Sequence, residues 1–422
     1  TETWIVILAS RLHAGGGRAS MSTLRQGVAD LVATCLDDRP WNTPDDLAKG
    51  VFTGLERLAQ GYWPRRWMGR RVGLVTNHTG RTTDGRSAAS VLASHDHVVL
   101  AALFSPEHGL YGTVDEKVGH AVDAETGLRV WSLYGEVRKP SKEMLEGLDI
   151  LVFDIQDIGT RFYTYLSTLT NCMEAAHENG LAVCVLDRPN PIGGVDVEGP
   201  LADAASLDFV GIHPLPIRHG MTMGELALMI AAERGWTIEL EVVWMKGWQR
   251  RMLFDETGIA WVDPSPNMRS LEAALIYPGL GILETTNLSV GRGTDSPFEI
   301  VGAPWFPADA VKTRLDAAGL PGVAFEPVVF RPSASKFRGE RCRGLRLSVL
   351  DRATFRPVAM AMTLAVALRT EAPEAWDRGR LDRLLKSKAV LASVEQSVWP
   401  TVPDSETPAS FALRRARFLS YD

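Results

Sequence analysis

The sequence predicts an α/β fold: a Rossmann-like, doubly wound, mostly parallel sheet followed by a second, smaller α+β C-terminal domain. Two observations carry this. Short, near-continuous apolar runs alternate with helix-patterned segments through the first half of the chain, as expected of parallel strands buried on both faces. Beyond them the pattern gives way to a Pro- and Gly-dense stretch between Trp261 and Pro307, then to fewer, separated elements. The 422 residues leave room for roughly two or three domains and a large core.

Val72–Thr76 (VGLVT) reads as the first strand and Ser87–Ser94 as the helix after it. Val98–Phe104 (VVLAALF) is the next strand. Ser141–Leu148 (SKEMLEGL) reads as a helix opened by a capping serine. Ile150–Ile155 (ILVFDI) is a strand, and Tyr165–Asn179 a long amphipathic helix stopped by Gly180. Leu181–Leu186 (LAVCVL) is the strand that follows; a helix over Met223–Arg234 and strand-like Ile238–Trp244 continue the series. The stretch between Trp261 and Pro307 reads as ordered loops. The smaller unit holds helix Ala308–Ala318, strand-like Val323–Phe330 and Gly344–Leu350, and helix Val358–Glu371. A boundary near Pro304–Pro307 then gives a larger domain over 21–305, with a helical lead-in, and a smaller one over 306–422. No internal repeat is apparent.

Residues 1–20 fit neither unit. Trp4–Ser10 is a short apolar run preceded by Glu2, where a signal peptide carries positive charge, and Arg11–Ser20 is rich in Gly, Arg and Ala. They read as a tag or upstream extension, with Met21 as the natural start; a cleaved signal is the alternative.

Composition excludes several classes. Net charge is −6 with no basic block, which argues against nucleic acid or anionic lipid as a partner. Uncharged stretches such as Phe162–Met173 and Pro357–Leu368 run about a dozen residues, short of the roughly 20 that span a bilayer, so no membrane span is expected. Cys35, Cys172, Cys184 and Cys342 form no C-x-x-C pair and read as reduced, mostly buried thiols. That suits a cytoplasmic protein, with an exported or periplasmic one as the alternative if the N-terminus is a signal. Nothing in the sequence sets an oligomeric state.

In open parallel sheets, ligands bind beyond the carboxyl ends of the strands, and here four strands end in polar clusters. The first runs into Asn77-His78-Thr79-Gly80 and the second into Ser105-Pro106-Glu107-His108-Gly109. The third runs into Asp154-Ile155-Gln156-Asp157-Ile158-Gly159, with Arg161, Tyr163 and Tyr165 just after; the fourth into Asp187-Arg188-Pro189-Asn190-Pro191. Topology brings these tips to one rim.

Each cluster also has a bland reading. Asn77 and Thr79 suit a turn as well as a ligand. Glu107-His108 is pinned between Pro106 and Gly109. A general acid needs its carboxyl held in place and partly desolvated, and Phe104, Leu110 and Tyr111 are apolar neighbours; the alternative is a loop carboxylate capping a backbone amide. Asp154 or Asp157 is expected to do structural work such as helix capping. Arg161, Tyr163 and Tyr165 offer an anion clamp and stacking faces for a sugar, or core packing. Thr222-Met223-Gly224-Glu225 fits a capping box, so Glu225 is structural.

Further rim candidates are Arg218-His219-Gly220, Lys246-Gly247-Trp248, Pro264-Ser265-Pro266-Asn267, Glu284-Thr285-Thr286-Asn287 and the run Ser289–Thr294 that sets Arg292 between two glycines. His95-Asp96-His97 reads as a solvated turn rather than a metal site. There is no G-x-G-x-x-G after a strand, no G-x-x-x-x-G-K-[ST], no G-x-S-x-G and no zinc-type spacing. No cofactor or metal is expected.

The strings GLVTNHTG, LFSPEHGLYG, LVFDIQDIGTRFYTY, VLDRPNPIGG, PIRHGMTMGELA, PSPNM and ETTNLSVGRGT…PFEIVGAPW closely resemble the NamZ-type exo-β-N-acetylmuramidases. The resemblance runs from about Gly69 into the C-terminal region. It implies a peptidoglycan-turnover glycoside hydrolase that releases N-acetylmuramic acid (MurNAc) from the non-reducing end of MurNAc-β-1,4-GlcNAc fragments, in a cleft bordered by the smaller domain. Glu107, in the string matching the family's S-P-E-H-G, is then the catalytic carboxylic acid.

On that reading Glu107 protonates the glycosidic oxygen, and His108 and Asn77 hydrogen-bond Glu107 or the sugar. Asp154 or Asp157 supplies a second carboxylate; retaining, inverting and substrate-assisted routes all stay open. An arginine should read the lactyl carboxylate of MurNAc, with Arg161 and Arg292 the first candidates and Arg188 and Arg218 behind them. Gln156, Tyr163, Asn190, His219 and Asn287 complete the expected binding set. The rivals are a sugar-phosphate or nucleotide-sugar enzyme on the same scaffold, and a non-catalytic sugar-binding module. The first lacks a phosphate-cradling glycine loop, and the second has no need of carboxylates at several strand ends.

Overall fold

The computed structural model describes residues 50–112, 121–396 and 407–422; the expectations for residues 1–20, Met21 and Cys35 lie outside them. Thr53 opens α1 (Gly54–Ala59) with a capping box closed by Glu56. The apolar run VGLVT lies in β1 (Arg70–Thr76), Ser87 caps α2 (Ala88–Ala93), and VVLAALF lies in β2 (Val98–Ser105). Two short strands follow, β3 (Ala121–Val122) and β4 (Arg129–Ser132). Next come β5 (Ile150–Asp154), α3 (Tyr165–Asn179) and β6 (Ala182–Leu186). Gly180 ends α3 at φ 71°, a left-handed cap that an L side chain resists. Thr222 and Glu225 form the expected capping box on α4 (Met223–Glu233), and β7 is Leu240–Val243.

These strands build a sheet in the order β3-β4-β2-β1-β5-β6-β7, parallel except for β3. All five residues of β5 and of β6 are buried, which explains their uninterrupted apolar sequences. From β1 the chain moves outward through β2 and β4, then returns to β5 on the other side of β1. The sheet therefore switches direction beside β1, and the loops leaving β1, β2 and β5 open at its carboxyl edge. The registers set those ends level: Thr76 pairs with Asp154, Val75 with Phe104 and Phe153 with Val185.

The remainder starts with α5 (Leu271–Leu283), inside the stretch expected to be loops. Every residue from Ala273 to Leu283 is buried, so no polar face marks the helix in the sequence, and Pro278, Gly279 and Gly281 read as breakers. Gly279 is needed for contact: a Cβ there would lie 2.1 Å from the Pro357 carbonyl oxygen. A three-stranded antiparallel sheet follows in the order β8-β10-β9, from β8 (Ile300–Ala303), β9 (Val323–Phe330) and β10 (Cys342–Val349). It is accompanied by α6 (Ala308–Ala317), α7 (Pro357–Glu371), α8 (Asp382–Leu385), α9 (Lys388–Glu395) and α10 (Pro408–Arg415). One apolar core continues from Phe153, Leu169 and Leu226 to Leu280, Val301, Leu345 and Leu364. No described helix is long and apolar enough to cross a membrane.

The expected helix over Ser141–Leu148 is absent. Those residues form successive turns, with Leu145 N donating to Ser141 O (3.2 Å) and Leu148 N to Leu145 O (3.1 Å). Between Pro140 and Gly147 the segment is too short to offset helix nucleation.

The last residues return to the first sheet. Tyr421 wedges edge-on against Trp244 and Trp248. Its hydroxyl donates to the buried Asp187 carboxylate (2.6 Å) and accepts from Met245 N (3.0 Å). Replacing Tyr421 with Phe leaves the buried Met245 N–H unpaired and Asp187 with Gly224 N still donating to it, so stability should fall by about 1–3 kcal/mol; a lower urea midpoint at unchanged slope is the expected readout.

Candidate active site

A cavity of about 540 Å³ opens at the carboxyl edge of the parallel sheet. Glu107 and His108 reach it from the loop after β2, and Phe162, Tyr163, Thr164 and Tyr165 from the loop joining β5 to α3. The opposite wall comes from the second half of the chain: Ser265, Met268, Tyr277, Glu284, Arg292 and Phe298, with Arg380 and Arg383 at α8.

Glu107 is held from two directions. Along the chain, Gly109 N donates to Pro106 O (3.1 Å), and His108 takes φ 68° before Gly109 at φ 72°. A non-glycine residue in the left-handed region costs free energy, so the neighbouring structure imposes this turn. Across the cavity, the Thr164 hydroxyl donates to Glu107 Oε2 at 2.6 Å. Thr164 stands at the N-cap of α3 but makes no side-chain cap bond; its hydroxyl serves Glu107 instead. Phe104 is buried behind the loop, whereas Tyr111 turns outward and donates to Asp123 (2.8 Å).

Aromatic rings form the floor. Tyr163 packs edge-on to Tyr165 (5.0 Å) and Tyr277 (6.0 Å), and Tyr277 to Phe298 (4.6 Å). Tyr165 is fixed by its hydroxyl, which donates to Pro264 O (2.5 Å) and accepts from Asn77 Nδ2 (3.1 Å). The Tyr163 hydroxyl is buried beside the side chains of Ser265 and Tyr165. Glu284, facing this floor, is paired with Arg292 through the Nε contact and an Nη2 bond of 3.3 Å.

The other expected site residues stand behind the cavity or apart from it. Asn77 shapes its turn, its Oδ1 accepting from Thr79 N and Oγ1, and supports Tyr165 rather than lining the wall. Asp154, fully buried, is engaged on both oxygens by Arg188 (2.6 and 3.0 Å). Burial raises its carboxyl pKa and the guanidinium opposes that, so the pair is a strut and neither partner faces the cavity. Asp157 caps Gly159 N (2.8 Å) through Oδ2, while its buried Oδ1 is unpartnered; it too lies outside the lining. Gln156 bridges the carbonyls of Asp157 and Pro189 (both 2.8 Å), and Asn190 donates to Met221 O and accepts from Ile192 N.

Arg161 shows the largest departure from expectation. Fully buried, it donates to the carbonyls of Pro200, Leu215, Leu384 and Leu385 at 2.7–2.9 Å, and burial lowers its pKa to about 9. It cannot reach a substrate carboxylate. Arg218 is buried on Ile192 O and Asp196 (3.2 Å). His219 accepts from Met221 N, and burial lowers its pKa to about 3, so it is a neutral structural ring. Asn287 bonds the 375–377 backbone and lines a different cavity. Of the expected residues, Glu107, His108, Tyr163, Tyr165, Ser265, Glu284, Thr285 and Arg292 meet at the cavity. Thr164, Tyr277, Phe298, Arg380 and Arg383 were not anticipated; Thr164 and Phe298 at least lie within quoted motif strings, whereas Arg380 and Arg383 carry no local signal.

The family model described as exo-beta-N-acetylmuramidase NamZ, N-terminal, matches residues 72–272, and its C-terminal counterpart residues 275–421. The chain is 41% identical over 379 residues to the peptidoglycan beta-N-acetylmuramidase NamZ of Bacillus subtilis (strain 168), covering 88% of this chain and 91% of that protein. A crystal structure of a DUF1343 family protein from Bacteroides fragilis NCTC 9343 matches with TM-score 0.81 at 35% identity, over 88% of this chain and 99% of that one. A second from the same organism matches with TM-score 0.70 at 27% identity, with the same coverage.

Burial pushes Asp157 up to about 7, against about 3.9 in an unfolded chain. Between those values the folded state holds a proton that the unfolded state has lost. This contribution to stability is therefore full below about pH 4 and is lost as pH rises to 7, by up to about 1.4 kcal/mol per pH unit. Asp187 and Glu198, also raised to about 7 by burial, act with the same sign. Asp157→Asn should accordingly lose less stability than wild type between about pH 5 and 8, as urea midpoints at both pH values would show; equal losses would remove Asp157 from the account.

Proposed function

The chain belongs to the family of NamZ exo-β-N-acetylmuramidases, and from that premise we propose that Glu107 is the general acid with which it releases MurNAc from the non-reducing end of peptidoglycan fragments. The observation that carries this is the placement of Glu107 in the cavity, with Oε2 oriented by Thr164 above a floor of tyrosines. An exo-glycosidase must hold one terminal sugar against a positioned carboxyl group, and aromatic faces suit the apolar faces of a pyranose.

Glu107 donates its proton to the glycosidic oxygen as the bond from that oxygen to the anomeric carbon breaks. Water then supplies a hydroxyl to the anomeric carbon, and its remaining proton restores Glu107. Positive charge grows on the sugar ring as the bond lengthens. With Asp154 and Asp157 set behind the wall, the carboxylate placed to support that charge is Glu284, oriented by Arg292. The Tyr163 ring, which lines the cavity, is suited to an apolar face of the sugar. His108 flanks Glu107 as a sugar contact.

Glu107→Gln keeps the shape of the side chain but has no acidic proton to give. Hydrolysis of a chromogenic β-MurNAc glycoside should fall by about 10²–10⁴-fold with circular dichroism and thermal midpoint unchanged. Near-native turnover by this variant would reject Glu107 as the acid, and failure of wild type to turn over the glycoside would reject the activity itself.

A further inference from the structure

MurNAc differs from GlcNAc by a lactyl ether that ends in a carboxylate, so a site selective for it needs a cation that is not already neutralised. Resting on the hydrolase reading above, we infer that Arg380 and Arg383 together hold this carboxylate. The cavity contains three arginines. Arg292 is paired with Glu284, and a lactyl carboxylate brought beside that pair would meet the like charge of Glu284. Arg380 and Arg383 line the same cavity as Glu107, are exposed, and have no ion pair or side-chain hydrogen bond among the described residues.

Their spacing suits a shared ligand. Arg383 N donates to Arg380 O (2.9 Å), so one turn separates them, and both line this cavity as well as a neighbouring one beside Asp203 and Asp208. The backbone beneath is fixed although the guanidinia are not. Arg380 N donates to Thr285 O (3.2 Å), next to Glu284. One turn on, the carbonyls of Leu384 and Leu385 accept from the buried Arg161 guanidinium at 2.7 and 2.8 Å. Arg161, fixed by the loop that also carries Tyr163 and Thr164, is thus a positioning residue for the two arginines. The cavity's charges are divided by role: Glu107 on one wall, the Glu284–Arg292 pair opposite, and two uncommitted guanidinia at α8.

The test compares chromogenic β-glycosides of MurNAc and of its lactyl methyl ester, in wild type, in the double variant Arg380→Met/Arg383→Met, and in Arg292→Met. Wild type should prefer the acid by about 10–100-fold in kcat/KM. The double variant should lose that preference through a raised KM on the acid, while hydrolysing the ester as wild type does. The assignment is overturned if wild type treats acid and ester alike, or if the double variant keeps the preference. It is also overturned if ester and acid hydrolysis fall together, or if Arg292→Met alone removes the discrimination. Should wild type hydrolyse neither glycoside, the hydrolase reading fails. Calorimetric binding of free N-acetylmuramic acid and its methyl ester to wild type and the double variant then decides the arginines separately: acid-selective binding lost in the double variant sustains them, and unchanged binding removes them.

Discussion

A guanidinium shielded from solvent ties the candidate site together. Arg161 leaves the loop after β5 and donates to four backbone carbonyls, two from the 200–215 segment and two from the C-terminal end of α8. Burying an arginine is costly unless its protons are satisfied, and bonds to a charged donor are stronger than neutral ones. Once those four carbonyls converge the arrangement has little freedom left. The loop bearing Thr164 and Tyr163 is thereby set against the segment bearing Arg380 and Arg383, across a sequence distance that no local interaction spans.

Behind the cavity lies a second group of polar residues that hold the first in place. The Asp154–Arg188 pair, Asn77, Gln156 and Asn190 knit the loops after β1, β5 and β6 to one another. Their polarity is spent on the protein. The residues facing the cavity are different in kind: a carboxyl oriented by one hydroxyl, and two guanidinia without carboxylates among the described residues. Buried polar groups that bond to the protein build the frame, and the groups lining the cavity are the ones available for chemistry.

Much of the parallel sheet was legible in the sequence because two-sided burial writes continuous apolar runs, as in β5 and β6, and because caps such as Thr222–Glu225 and Gly180 act locally. The position of Glu107 at the cavity was legible for a related reason: it follows a buried strand on a backbone pinned by Pro106 and Gly109. The helix over Leu271–Leu283 was not, since a helix buried on all sides shows no period and its Pro and Gly mimic a loop. Arg161 was misread because an arginine bound to carbonyls and one awaiting a ligand look alike in sequence; only the fold supplies its acceptors. Arg380 and Arg383 were invisible because their proximity to Glu107 is made by packing between segments far apart in the chain. The loops after β1 and β6 were expected at the rim, yet their side chains support it from behind.

The Tyr421–Asp187 contact has a consequence for how the molecule is made. The hydroxyl that completes Asp187 emerges from the ribosome 234 residues after the carboxylate it serves. Until then the tip of β6 must wait with a carboxylate that has no such donor, and the Trp244–Trp248 pocket stays open to water. The larger sheet therefore lacks this contact while it is being synthesised, and gains its full stability only after nearly all of the smaller portion has followed. Long-range contacts of this kind slow folding, and they make the two portions mutually dependent.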